Sequence, residues 1–208
     1  MIIGIPVYQK VDLLDVTGPH EVFKWISPSV EVRLIASTAK EMITTRDGFT
    51  FLAPDGFDDV PELDVLWVPG GDPEALKAIM SGPDSAYLDF LKSRSATAQY
   101  VCSVCEGALL LAKAGLLDGF AATTHWLFIP CLKQFPAVKV APGTPRFVHD
   151  RNRLTGGGIS SGLDEALKLV ELLRGYQAAQ QVQQTMQYYP DPPVASQLPQ
   201  ASSCPFSW

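Results

Sequence analysis

The chain has 208 residues, of which 47% are apolar and 18% charged, so it has enough material for a sizeable core and lacks the composition of a disordered protein. Its net charge of −6, with no basic cluster, argues against nucleic acid as a primary partner. Apolar runs such as Ala108–Ala112 are too short to span a bilayer, and four irregularly placed cysteines do not make a secreted disulfide scaffold.

Read in chain order, β-type runs alternate with helical patterns. Ile2–Tyr8 reads as a first strand and not as a signal peptide, because it lacks a basic leader; cytoplasmic residence is the expectation that follows. A short helix is predicted over Pro19–Ile26, a strand over Val30–Ala36, and a hairpin over Met42–Ala53 turning near Asp47-Gly48. Val65–Val68 is a continuously apolar strand of the kind buried in parallel sheets. Pro73–Met80 and Pro83–Ser93 read as helices opened by proline, Gln99–Val104 as a strand, and Gly107–Ala114 as a helix. Ala121–Thr124 is a further strand, and Trp126–Phe135 is helical in pattern although Pro130 interrupts it. Short strands are expected at Val138–Val140, Phe147–His149 and Leu154–Thr155, then helices at Ser160–Leu173 and Tyr176–Tyr189.

This alternation predicts an α/β fold: an open, mostly parallel sheet with helices on both faces. One domain is expected over residues 1–189. The tail from Pro190 to Trp208, with five prolines and two aromatics, is expected to lie extended over the body or a partner subunit. In such sheets the functional crevice lies at the carboxyl ends of the strands. Three turns fall there and are expected to converge: Asp15-Val-Thr-Gly-Pro19, Pro69-Gly-Gly-Asp72 and Ser103-Val-Cys105-Glu-Gly107.

The third turn carries the strongest signal. An apolar strand stops at Cys105, a small-residue corner follows, and a helix begins. A side chain on that corner is pushed out of the sheet beside a helix N-terminus, where N–H groups and the dipole favour a thiolate. Cys105 is therefore a candidate nucleophile, against the plainer reading of a packed structural cysteine. Cys102-Ser-Val-Cys105 is formally a C-x-x-C pair, but Cys102 belongs to the strand and no second pair exists to complete a zinc site; no metal is expected.

Asp15 is a candidate acid. It would face Cys105 from the end of the first strand region, with Thr17 available to cap the following helix, and a nearby thiolate would raise its pKa. Purely local helix-start chemistry is the competing account. Glu106 suits the first turn of the next helix and would oppose a thiolate if it faced the sulfur. Glu21 is a second carboxylate with a plain surface reading. The N–H groups of Gly70-Gly71, with that of Glu106, could stabilise developing negative charge, or the glycines could serve only the turn. Gly156-Gly-Gly158 lacks the ending of a phosphate loop. His125 follows a strand end and could act as a base or be a hydrogen-bonded structural residue.

These motifs are similar to those of the ThiJ/PfpI superfamily, over most of the chain from Met1 to about Leu173. The pieces are Asp15-Val-Thr-Gly-Pro-His-Glu-Val-Phe23, Asp64-Val-Leu-Trp-Val-Pro-Gly-Gly71, Ser103-Val-Cys-Glu-Gly107, Ala114-Gly-Leu-Leu-Asp-Gly119, Ala122-Thr-Thr-His-Trp126 and Leu154-Thr-Gly-Gly-Gly-Ile159. Within the superfamily the chain looks most like the branch that hydrates isocyanides, a likeness that extends to Tyr188-Tyr-Pro-Asp-Pro-Pro-Val194. The resemblance implies a flavodoxin-like fold with a cysteine elbow and a homodimer without cofactors. It also implies addition of water to an isocyanide to give an N-substituted formamide. Carried over, Cys105 is the nucleophile that forms a thioimidate, Asp15 the acid–base residue, and Trp126 and Ile159, with His125 nearby, the pocket. The chain departs from that branch at Glu106, where threonine is usual, and at Cys102, also threonine there. Members with glyoxalase or protease activity place histidine after the cysteine, and the regulators of the superfamily append a helix-turn-helix domain that does not follow here. A glyoxalase or deglycase and a non-catalytic redox or ligand sensor remain the alternative readings.

Overall fold

The structure is a computed structural model, and it describes residues 1–205. Its centre is a seven-stranded sheet. In chain order the elements are β1 (Ile2–Pro6), α1 (Leu13–Lys24), β2 (Glu31–Ala36), the hairpin β3 (Glu41–Thr44) and β4 (Thr50–Ala53), β5 (Asp55–Gly56), β6 (Val65–Val68), α2 (Pro73–Ser81) and α3 (Ala86–Ser95). There follow β7 (Tyr100–Ser103), α4 (Gly107–Lys113), β8 (Ala121–Ala122), a 3₁₀ turn (Trp126–Phe128), α5 (Ile129–Leu132), β9 (Lys139–Val140), β10 (Phe147–Asp150), β11 (Arg153–Gly156), α6 (Ser161–Arg174) and α7 (Tyr176–Thr185).

The sheet order is β10-β11-β7-β6-β1-β2-β5, parallel throughout except that β10 runs antiparallel to β11 at one edge. Helices α1, α6 and α7 pack on one face and α2, α3, α4 and α5 on the other. This is the doubly wound α/β sheet that the strand–helix alternation predicts. The strand order reverses between β1 and β6, and at such a reversal the loops leaving the carboxyl ends part to open a crevice. The loops after β1, β6 and β7 meet there. Its floor is held by Ile3, Ile5, Leu66 and Trp67, all fully buried.

Several boundaries differ from the expected ones. Helix α1 begins at Leu13 and not at Pro19, because Asp12 caps it: its side chain accepts the Leu14 N–H at 3.2 Å. Asp15 therefore stands in the first helical turn, and Thr17 does not cap but returns its hydroxyl to the Leu13 carbonyl. Pro83 lies ahead of α3, which starts only at Ala86. Helix α7 stops at Thr185, short of Tyr189, where Gln187 turns into the left-handed region with φ 51°. Strand β8 ends at Ala122 because the Thr123 N–H goes to the Thr155 hydroxyl at 2.9 Å. The short edge strand β5 has no counterpart among the predicted elements; Asp55 and Gly56 are turn-forming residues with no β signal.

Cys131 and Cys204 form a disulfide, which the irregular cysteine spacing does not foretell. It ties the tail to α5. Residues 188–205 form no helix or strand, and Leu198–Ala201 lie against Trp126, Ile129, Lys133 and the stretch 140–144, closing one side of a groove of about 370 Å³. The two tail aromatics, Phe206 and Trp208, lie outside the described residues. Among the described residues no helix is long and apolar enough to cross a membrane.

Candidate active site

Strand β7 is buried on both faces and ends at Ser103; Cys105 follows in the left-handed region with φ 54°. A non-glycine residue is seldom held there without a local reason, and the conformation costs roughly 1–3 kcal/mol. The corner is fixed from two sides. The Cys105 N–H donates to the Gly157 carbonyl at 2.9 Å, and the Thr124 hydroxyl donates to the Cys105 carbonyl at 2.7 Å. The thiol is in turn met by the Ile159 N–H, which donates to Sγ at 3.0 Å.

The elbow is thus present, but the sulfur is not bared by it. Cys105 is only 1% exposed, covered by the loop 157–159, the Gly70-Gly71 turn and the first turn of α1. Its pKa is pushed well up, first by burial and then by the carboxylates of Asp15 and Glu106. The thiolate expected from the helix N-terminus is outweighed: α4 is a short helix, and the sulfur is buried with two acids within 4.8 Å.

Asp15 reaches the site because α1 starts where it does. Pro19 sits inside α1 and has no N–H to give to the carbonyl four residues back, which is that of Asp15. The freed carbonyl accepts the Trp67 indole N–H at 3.2 Å, pinning the turn to β6. The Asp15 carboxylate is fully buried, and its Oδ2 accepts the Gly70 N–H at 2.9 Å. Its Oδ1 has no nitrogen or oxygen partner. Burial, then the negative charges of Asp12 and Glu106, raise its pKa well above the ordinary value, against a lowering by the Gly70 N–H and the Cys105 thiol.

Glu106 does not point to solvent. It is 3% exposed, its pKa is raised by burial to about 7, and the N–H groups of Gly71 and of Glu106 itself favour its charged form. Its Oε2 carries no hydrogen bond. Gly70 makes the room: a Cβ there would come 2.5 Å from Glu106 Oε2 and 2.7 Å from Cys105 Cβ. Sequence reasoning offered Gly70, Gly71 and Glu106 as N–H donors for a developing oxyanion. The Gly70 N–H instead serves the Asp15 carboxyl group, and the N–H groups of Gly71 and Glu106 favour the charged form of Glu106.

The ligand atoms of Asp15, Cys105 and Glu106 lie within 4.8 Å of one another. They are also the set among the described residues with the spacing to hold a metal ion. Near the surface, Asp12 pairs with Arg46 at 3.6 Å, and Arg46 is positive towards both Glu106 and His125. His125 caps the 3₁₀ turn, accepting the Leu127 N–H on Nδ1 at 3.3 Å, and its ring covers Gly158. Its pKa is lowered by burial and by Arg46. Trp126 faces the groove closed by the tail. Glu21 bonds the Trp25 indole on the exposed side of α1, away from the thiol. Sequence reasoning missed Asp12, Arg46 and Thr124. Only Thr124 left a trace, as part of the Thr-Thr-His-Trp motif.

The profile of the DJ-1/PfpI family matches residues 2–172. The chain is 41% identical over 197 residues to the isonitrile hydratase of Pseudomonas putida, covering 95% of this chain and 82% of that one. It is 29% identical over 152 residues to the transcriptional regulator GbdR of Pseudomonas aeruginosa, of which it spans 37%. A ThiJ/PfpI family protein from Pseudomonas syringae superposes with a TM-score of 0.85 at 36% identity, covering 93% of this chain and 77% of that one. Drosophila melanogaster DJ-1beta shares the fold, with a TM-score of 0.78 at 19% identity over 91% of this chain and 98% of that one. On sequence and architecture together, the chain belongs to the DJ-1/PfpI family.

Proposed function

We propose that this protein is an isocyanide hydratase, converting R–N≡C and water to an N-substituted formamide, with Cys105 as nucleophile and Asp15 as acid–base residue. The observation that carries the reading is what surrounds the sulfur: two buried carboxyl groups, one of which takes the Gly70 N–H of the turn. Acyl transfer needs free N–H groups to hold an oxyanion. Addition to an isocyanide carbon makes no oxyanion and expels no leaving group; it calls for a soft nucleophile and for protons. The narrow linear end of an isocyanide also suits a sulfur that is only 1% exposed. The likeness to the isonitrile hydratase of Pseudomonas putida points the same way.

In this reading the thiol adds across the terminal carbon. Sulfur bonds to carbon, and the thiol proton passes through the Asp15 carboxylate to the same carbon, giving the thioimidate Cys105–S–CH=N–R. Water then adds to that carbon and the C–S bond breaks, releasing the formamide and restoring the thiol. The small space beside Trp126, Gly157 and Gly158, with Ile159 above the sulfur, takes the R group.

The test is direct. Purified protein is mixed with an alkyl isocyanide at neutral pH and the formamide is quantified. Cys105→Ala should abolish turnover, and Asp15→Asn should lower it at least ~100-fold, the usual scale for a lost acid–base group. A chelator should leave the rate unchanged. Absence of formamide from the wild type would refute the assignment.

The reading extends to a homodimer built from residues 1–189. Met42 and Leu52 are paired across β3 and β4 and remain about half exposed, an apolar face that a second copy would cover. Sedimentation velocity tests it. Work in the cytoplasm is also part of the proposal, and the Cys131–Cys204 bond weighs against it, since reducing compartments keep such pairs open. Alkylation of free thiols in fresh cell extract decides which form the cell holds.

A further inference from the structure

Two acids share the cover of one sulfur: the Gly70 N–H anchors Asp15 at 2.9 Å, the ligand atoms of Asp15, Glu106 and Cys105 lie within 4.8 Å of one another, and each carboxyl group keeps one buried oxygen unpartnered, Oδ1 and Oε2. Neighbouring buried carboxyls do not ionise together: the first charge opposes the second, so near neutrality the pair carries a proton. The groups facing Glu106 are consistent with this. Asp12, which caps α1, and Asp15 in its first turn are acidic, Tyr8 after β1 and Cys105 are neutral in the resting site, and Arg46 of the β3–β4 turn is positive towards Glu106.

Resting on the hydratase reading, we propose that Glu106 is a second catalytic acid, which protonates the substrate nitrogen while Asp15 takes a proton from the attacking water. The hydrolytic half of the reaction takes one proton from water and puts another on nitrogen, and two carboxyl groups on the same sulfur can make the two transfers from separate positions. The accounting closes with two. Asp15 and Glu106 share one proton, and the form of the site that reacts holds the thiol, the Asp15 carboxylate and the Glu106 acid. After the thioimidate forms, water oxygen bonds to its carbon, one water proton goes to Asp15, and the Glu106 proton goes to nitrogen. The tetrahedral carbon then bears sulfur, hydroxyl and NHR. As the C–S bond breaks, the hydroxyl proton passes to Glu106 and the Asp15 proton to sulfur. Formamide leaves and the resting site is regained. A hydroxyl at this position could relay a proton but could not hold one; the carboxyl of Glu106 holds it.

The experiment compares wild type, Glu106→Gln and Glu106→Asp with one alkyl isocyanide, reading formamide release, the pH profile of kcat and intact protein mass. In wild type, kcat should fall as pH rises through about 7, where Glu106 loses its proton. In Glu106→Gln, formamide release should drop at least ~100-fold. That protein should accumulate one isocyanide mass on Cys105, and the fall near 7 should vanish. Glu106→Asp keeps an acid one methylene further back and should retain both a reduced rate and the alkaline fall. Wild-type-like turnover and pH profile in Glu106→Gln would overturn the proposal, as would an inactive variant without adduct. If Glu106→Gln does not fold, a flat alkaline limb in wild type and Glu106→Asp overturns it. A wild type that turns over, with Cys105→Ala dead, upholds the parent reading whatever Glu106 does; a wild type that forms no formamide removes both.

Discussion

Gly70 has a hydrogen where any other residue has a carbon, and that difference keeps Cys105 and Glu106 in place. A Cβ at this position would press on Glu106 Oε2, Cys105 Cβ and the Glu106 backbone nitrogen, all under 3.0 Å. The last cannot move without shifting the elbow. Gly70→Ala is expected to abolish turnover and cost about 1–3 kcal/mol of stability, measured by urea unfolding beside a formamide assay. The strand-to-helix corner at Cys105 was legible in the sequence, because β-branched runs and glycines leave a local mark; the cause of the raised Asp15 pKa was not, since burial comes first and the Cys105 thiol, expected to raise it, lowers it. The direction of Glu106 was not legible either. A glutamate at a helix start looks the same whether it faces water or sulfur, and what leaves room for this one to face inward is the missing Cβ of Gly70, thirty-six residues away and on another strand's loop.

At the scale of elements, α1 begins earlier than its composition suggests, and the reason lies outside the helix. Pro19 reads as a first residue because proline is at home there. Here it is tolerated mid-helix because the carbonyl it leaves unpaired is taken by Trp67 from β6. A long-range hydrogen bond of that kind cannot be read from local pattern, whereas β6 itself, four apolar residues between Asp64 and Pro69, could be placed to the residue. Trp67→Phe should orphan the Asp15 carbonyl and shrink a fully buried ring. The expected loss is about 1–3 kcal/mol by thermal or urea unfolding, with a larger effect on kcat than on KM because the first turn of α1 carries the acid.

The whole molecule carries buried carboxyl groups as a pH liability. Asp15, Glu106 and Glu165 are all raised by burial. A carboxyl whose folded pKa lies above its unfolded value binds more protons when folded, so stability is greatest below the unfolded pKa and is lost as pH rises towards the folded one. For Glu106 the rise from 4.5 to about 7 corresponds to about 3 kcal/mol, lost across that interval. The midpoint of urea unfolding should therefore fall between pH 4.5 and 7, and Glu106→Gln should flatten the slope. A wild-type midpoint rising with pH over this range would contradict the burial of these acids. The sheet architecture was readable from alternation alone, since a parallel sheet demands a crossover between strands. The partner of each cysteine was not, because a bond between residues 73 positions apart leaves no periodic trace.

The same bond decides how the chain would respond to being pulled. Tension applied to the two termini enters at Met1 and at the tail, and crosses from Cys204 directly to Cys131. Strands β9, β10 and β11 and helices α6 and α7 lie in a loop that the covalent path of the load bypasses, and Ile159, which roofs the sulfur, lies within it. In an optical trap the oxidised protein should extend about 250 Å less than the reduced one, the length of 73 residues at about 3.5 Å each. The first rupture would then come from the β1–β7 half, while the loop over Cys105 stays slack.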